Sequence, residues 1–408
     1  MPPSLPAEVA PNAPQPLTVE FLTPDQAGRT EIAQVWRQAV DNSANPRAVL
    51  QSEAWFRWKN RGTTGSLLMP ARDQSGRIVS VSPLRCAPFE WVLYGRGDRA
   101  FSRLRVPAHL IVGNLPLLPH DPHDYATFFN ALRTEARINA VYTPGVAHGS
   151  AFHQFIIEIL VVDKSWIVHP LAAAATVRHV KLSGSFDEYL SRLPRKLRQN
   201  LQREIRVFRE YCDGDLTLER TTEVNQVAAF LDSATKVAAS SWQKKLLDVN
   251  VSQTAPRYEA LRAMASEGHL RSYVLKAAGE PCGFTLGLQS PRTFFFYETA
   301  YDPKWARFSP GKVMFFLMLQ DLFQHKSPEL AFLAPGDFDY KRWFGTGFFN
   351  EAAFLILKNT FANRMKISAH HLFRNAVQAL KRVKFLAQRS VPDREPLAAC
   401  DNLNHPKP

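Results

Sequence analysis

Four groups of residues in this chain could do chemistry. Glu298 sits in the run Phe294-Phe295-Phe296-Tyr297-Glu298-Thr299-Ala300. A carboxylate among aromatics is partly desolvated, which suits it to general-base work. Strict alternation puts Phe294, Phe296 and Glu298 on one strand face and Phe295, Tyr297 and Thr299 on the other. Next comes Arg307-Phe308-Ser309-Pro310-Gly311, followed by the almost wholly apolar stretch Lys312 to Phe323. A helix opening on a Ser-Pro-Gly turn points backbone N–H groups outward, and their partial positive charge suits a phosphate or pyrophosphate. A third group, Ser240-Ser241-Trp242-Gln243-Lys244-Lys245, either lines a cleft or anchors a loop. The fourth, Tyr340-Lys341, follows the next strand.

Other clusters read as structure. His120-Asp121-Pro122-His123-Asp124 resembles a metal cluster, but Pro122 prevents a regular helix through that spacing. Its Asp residues suit a helix entry. His370-His371 reads as surface, and no metal is expected. Neither a G-x-S-x-G elbow nor a Walker loop is present.

The elements that hold these groups follow from periodicity. Residues 1–16 are rich in Pro and Ala and read as a disordered leader, with no basic and apolar signal segment. Strands are expected at 17–21, 66–71, 77–86, 90–94 and 155–162, with helices at 28–40, 52–60 and 124–138. This alternation makes a first domain, 17–175. A second domain, 176–358, opens with a strand at 177–182 and a basic helix at 192–209. It continues with helices at 223–239 and 255–266 and a meander at 270–277, 282–290 and 293–300. Helix 311–324, strand 329–334, helix 338–344 and strand 348–357 complete it. Residues 359–389 form a basic amphipathic helix or helix pair, and 390–408 a tail.

Composition narrows the partners. The chain has 408 residues, 45% of them apolar, and 50 Lys and Arg against 37 Asp and Glu, a net charge of +13. That excess favours anionic partners without choosing among them. Four scattered cysteines, with no CxxC pair, argue against zinc or a disulfide framework and fit a reducing cytoplasm. No apolar run approaches the roughly 20 residues of a membrane span. The basic helix 192–209 lacks interleaved aromatics, so DNA is not expected.

Together the runs Tyr297 to Pro303, Ser309-Pro310-Gly311, Gly336-Asp337 and Tyr340-Lys341 resemble the GNAT acyltransferase superfamily, specifically its CelD/BcsL-like branch, which is related to the FemAB peptidyltransferases. Phe186 to Leu190, Arg195 to Leu201, Ser241 to Lys244, Gln51 to Trp55 and Ser82 to Leu84 agree, so the resemblance spans about residues 18 to 360. It implies an α/β (α+β) class: tandem GNAT-like domains, mixed and mostly antiparallel sheets flanked by helices. It implies an acyl donor, acetyl-CoA or another acyl-CoA, and direct transfer to an amine or hydroxyl of an envelope, polysaccharide or small-molecule acceptor. Arg307, Ser309, Gly311, Lys312 and Val313 would bound the pyrophosphate loop. Glu298 is the base candidate and Asp337 a second. Tyr340 would return a proton to the leaving thiolate, with Lys341 lowering its pKa. Trp242, Lys244 and Lys341 are the substrate-side candidates. A FemAB-like transferase using charged tRNA is an alternative, motivated by the basic helix. A non-catalytic partner module is another, because the branch commonly has an Asp where this chain has Ala331-Phe332-Leu333. Peripheral membrane contact by the 359–389 helix and the oligomeric state stay open.

Overall fold

In the computed structural model, residues 17–28, 30–96, 99–118, 123–171, 175–241, 254–325, 328–336 and 338–389 are described. Contacts divide the chain into two units, one of Met1–Phe89 and Pro107–Lys358 and one of Glu90–Val106 and Asn359–Pro408.

The first unit is built on a mixed sheet. In chain order its strands are β1 (Thr18–Val19), β2 (Leu67–Arg72) and β3 (Ile78–Cys86); then, after the second unit's hairpin of β4 (Phe89–Arg96) and β5 (Arg99–Val106), β6 (His109–Ile111), β7 (Ala140–Ala147), β8 (Trp166–Pro170) and β9 (Ala175–Lys181). They continue with β10 (Leu216–Thr221), β11 (Ser272–Ala277), β12 (Glu280–Gln289), β13 (Thr293–Tyr301), β14 (Leu330–Pro335) and β15 (Gly347–Lys358). The spatial order is β1-β2-β3-β6-β7-β15-β9-β14-β13-β12-β11-β10, with β8 also on β15. Two neighbours run parallel, β6 with β7 and β13 with β14. Each parallel pair is joined through a helix: α3 (His123–Thr134) in the first half and α9 (Pro310–Gln324) in the second. The two halves therefore repeat one topology, as tandem GNAT-like domains do.

β15 joins the halves. Its residues Gly347 to Glu351 pair with β9, and Glu351 to Leu357 pair with β7. Glu351 stands where the strand changes partner. Its carboxylate is buried and takes a bidentate ion pair from Arg47, at 2.5 and 2.8 Å. Arg47 also lies 4.6 Å from the ring centroid of Phe332. The branched guanidinium matches both carboxylate oxygens, so neither charge is buried alone.

Helices cover both faces of the second half. On one side α7 (Val227–Ser240), α8 (Ala255–Ser266) and α2 (Glu53–Lys59) pack over Phe284, Leu286, Phe295 and Ala300. On the other, α5 (Phe186–Arg192), α6 (Arg195–Tyr211), α9 and α10 (Asp339–Phe344) cover Phe294, Phe296 and Leu333. In the first half, α1 (Thr30–Asn42) buries Ile32, Trp36 and Val40 against Leu68 and Val81.

One expected strand is helical. Residues 155–162 form no strand: α4 (Ala151–Gln154) runs into a π-helical turn, Phe155–Leu160. Ser150 caps it by accepting from the His153 N–H at 3.2 Å. Ile156 and Leu160, four apart, are buried, whereas Ile157, Ile159 and Val161 face outward. The β-branched composition suggested a strand; the cap and the four-residue spacing of the buried pair decide for a helix.

Candidate active site

The site is organised by an irregularity in β13. Its first residues, Thr293 to Phe295, pair in parallel with Leu330 to Phe332 of β14, and the pairing between the two strands ends there. Further along, β13 pairs only with β12 through a bulge. Leu286 faces Glu298 and Gly287 faces Phe296, so Tyr297 is the extra residue. Gly287 admits the bulge: a Cβ there would lie 2.3 Å from the Arg271 carbonyl oxygen and 2.4 Å from the Phe294 ring.

The bulge changes which side chains share a face. Phe294 and Phe296 point toward α9, as alternation predicts. Tyr297 faces the other way, its ring 4.8 Å from Trp55 and nearly perpendicular to it. Glu298 follows Tyr297 rather than opposing it, and its Oε2 accepts from Arg257 Nη2 of α8 at 2.6 Å. Thr299 then returns to the α9 side through Thr285, which reaches Met314. The expectation that Glu298 shares a face with Phe294 and Phe296 is therefore corrected. Two consecutive residues of a bulge point to the same side, which shifts the parity of all that follow.

Beside Tyr297 lies a cleft of about 480 Å3, lined among others by Arg47, Trp55, Lys59, Arg85, Tyr297 and Pro335. Its lining residues include no carboxylate. Tyr297 comes from β13 and Pro335 from β14, so the cleft opens where these strands part. Lys59, the last residue of α2, is held against three rings: 4.0 Å from the centroid of Trp58, 5.2 Å from Trp55 and 5.6 Å from Tyr297. Burial pushes its ammonium down to about 8; Glu298 opposes that shift, while Arg257 and Arg85 add to it. The Nε of Arg85 is buried with no hydrogen-bond partner. Burial also pushes Tyr297 up to about 12. The cleft thus presents cations and aromatic walls, a setting for an anionic or polar guest.

At the opposite face stands the helix start singled out in the sequence. Ser309 adopts a left-handed conformation, φ 53° and ψ 48°, between a 3-10 turn (Pro303–Phe308) and α9. Its own N–H donates to Ala306 O at 3.0 Å, Pro310 has none, and Lys312 N–H donates to Ser309 O at 2.9 Å. Of the first four N–H groups three are taken or missing, and Gly311 supplies the remaining one. The turn is poorer in outward donors than its sequence suggests. Arg307 stacks on Tyr211, 4.4 Å away, and on Phe308, 4.7 Å away. Lys312 Nζ donates to Glu204 at 2.6 Å, and Val313 is fully buried.

Tyr340 lies on this same face, its ring 5.5 Å from Phe315 of α9. Burial pushes its hydroxyl up to about 12. Lys341 does not lower it: that lysine is buried and donates to Pro335 O at 3.0 Å, so its charge is directed at β14. Asp337, Trp242 and Lys244 lie outside the described residues. Among the described residues no three His, Cys, Asp or Glu side chains are grouped as a metal would require.

The structure therefore separates Glu298 from Tyr340 and the Ser309 turn, on opposite sides of β13. It adds Lys59, Arg85 and Arg257, which the sequence reading did not single out. One signal was present: Trp55, Trp58 and Lys59 have the three- and four-residue spacing that places them on one helix face.

Comparison with known proteins agrees with this architecture. Residues 195–342 match the model of the acetyltransferase (GNAT) domain. No curated protein matches. Among solved structures, FemX matches over 80% of this chain and 96% of its own, with 11% identity and a TM-score of 0.54. The C-terminal domain of a putative lysylphosphatidylglycerol synthetase from Agrobacterium fabrum covers 81% and 92%, with 15% identity and a TM-score of 0.48. A tandem GNAT protein from the clavulanic acid biosynthesis pathway covers 85% and 99%, with 13% identity and a TM-score of 0.41. The match over 195–342 marks a GNAT domain in the second half of the chain, and the likeness to FemX, at 11% identity, is one of fold.

Proposed function

We propose that the protein is an acyltransferase moving an acyl group from a thioester of the acyl-CoA class, acetyl-CoA first among them, to an amine or hydroxyl. The observation that carries this reading is the gap between β13 and β14. The helix start, Tyr340 and Arg307 lie on one side of β13, Glu298 and the Lys59 cleft on the other, and the parted strands would let a donor reach from the first side to the second. The donor would lie along α9, its pyrophosphate at the Gly311 N–H with Arg307 released from its ring stack. Its thioester would reach through the gap, and the acceptor would sit in the cleft with an anionic part near Lys59 and Arg85. Holding both partners in one path makes the attack nearly unimolecular.

Glu298, oriented by Arg257, would take the proton from the attacking nitrogen or oxygen. The new bond would form at the thioester carbonyl, and its oxyanion would be met by a backbone N–H of β13 at the bulge. The carbon–sulfur bond would then break, and the thiolate would take a proton from Tyr340. A hydroxyl held near 12 stays protonated at working pH and can donate. Titration with acetyl-CoA and longer acyl-CoAs, followed by melting temperature and thiol release, tests the reading. Tight binding at one hundred times Kd raises stability by about 2.7 kcal/mol. No melting shift and no thiol release with any acyl-CoA would remove the proposal.

The donor-poor helix start favours a second reading, transfer from charged tRNA. The outward face of α6, with Arg195, Lys196, Arg203, Arg206 and Arg209, suits a phosphate backbone. A hollow of about 500 Å3 lies on that face beside Arg206 and Arg209. Aminoacyl-tRNA binding that weakens steeply with salt, together with an absent CoA complex, would select it.

A further inference from the structure

The second unit carries a helix that no step of acyl transfer uses. α11 (Phe361–Arg389) contains seven Lys and Arg and no Asp or Glu. Phe361, Met365 and Leu372 on it are 78%, 55% and 75% exposed. At 3.6 residues per turn these three fall within about 40° of one another, forming one apolar stripe. His370 lies about half a turn away and stacks on Trp91 of the hairpin, centroids 4.8 Å apart and planes 16° apart. The hairpin thus holds one side of α11, and the apolar stripe is turned outward.

Three aligned large apolar side chains left this exposed mark a docking surface. Charge says what docks. A second copy would set seven cations against seven and is disfavoured. Nucleic acid would satisfy the cations but leave Phe361, Met365 and Leu372 in water. An anionic lipid surface satisfies both, with the stripe at the acyl boundary and the cations among the headgroups. Among the described residues no helix is long and apolar enough to cross a membrane, so α11 would lie on the surface rather than span it. We propose that α11 is an interfacial helix that seats the protein on an anionic membrane, independently of what the transferase site does.

The test is co-sedimentation of the full chain with vesicles of phosphatidylcholine alone and with roughly 30% phosphatidylglycerol. Binding to the anionic vesicles is expected to be at least about tenfold tighter and to fall with added salt. The double variant Phe361→Ser/Leu372→Ser and the triple variant Arg364→Gln/Lys366→Gln/Arg374→Gln should each weaken it. Their circular dichroism melts, unchanged from the parent, would show that the fold is kept. Equal binding to both vesicles, no binding, or full binding by the Ser variant overturns the proposal. So does self-association, or an RNA or DNA complex in place of vesicle binding.

Discussion

Arg257 Nη2 lies 2.6 Å from Glu298 Oε2, and the arginine side chain is 5% exposed against 21% for the glutamate. The pair is possible because the bulge at Tyr297 carries Glu298 to the side of β13 that faces α8. The guanidinium holds one carboxylate oxygen, which fixes the direction of the other. Glu298→Gln is expected to lower kcat by about 10²-fold or more with donor saturating. A stability loss of about 1–3 kcal/mol accompanies it, because Arg257 stays buried with a weaker partner. Full turnover by this variant would remove the base assignment.

Lys59 makes stability depend on pH in a defined direction. Its pKa is about 8 in the folded protein against an ordinary 10.5. Between those values the unfolded chain binds more protons than the folded one, so this group's contribution rises with pH across that window. Below about pH 8 the burial of the charged ammonium is a full penalty. Lys59→Met should therefore melt higher than the parent at pH 7, by on the order of 1 kcal/mol after solvent screening. The difference should shrink between pH 8 and 10.5. A less stable variant at pH 7 would show that the rings favour the charge more than burial opposes it.

The Arg47–Glu351 pair should be sensitive to loss of one partner and tolerant of losing both. Arg47→Met or Glu351→Gln leaves a buried, uncompensated group at the seam and is expected to lose about 3–5 kcal/mol in urea unfolding. The double variant Arg47→Met/Glu351→Met should lose less than either single change alone. Gly145→Ala should disturb the same place, since its Cβ would lie 2.5 Å from Glu351 Oε2. Additive losses in the double variant would mean that the two side chains act separately.

Ser309 tests the helix start. Its φ of 53° is left-handed, which is strained for any residue with a Cβ. Ser309→Gly should keep stability or gain up to about 1 kcal/mol, and Ser309→Val should lose roughly 2 kcal/mol or more. If acyl-CoA binds at this turn, the Gly variant keeps the melting shift and the Val variant loses it. Equal stability of both variants would exclude the left-handed turn.

Local pattern carried the elements that surround the site. The helix at 255–266, the meander up to Tyr301 and the helix after Ser309 follow from periodicity and turn residues, because those signals act between neighbours in sequence. The motifs spread over both halves likewise pointed to the GNAT fold. Tertiary structure alone decided the face of Glu298. A bulge depends on the opposing strand, here on Gly287 fitting between the Arg271 carbonyl and the Phe294 ring, and no alternation within β13 reveals it. It also decided that Phe155–Leu160 is helical and that Tyr297 meets Lys59. It decided that Arg47 answers Glu351, the residue at which β15 passes from one half of the sheet to the other. Those partners are remote along the chain, and only packing and hydrogen-bond satisfaction bring them together.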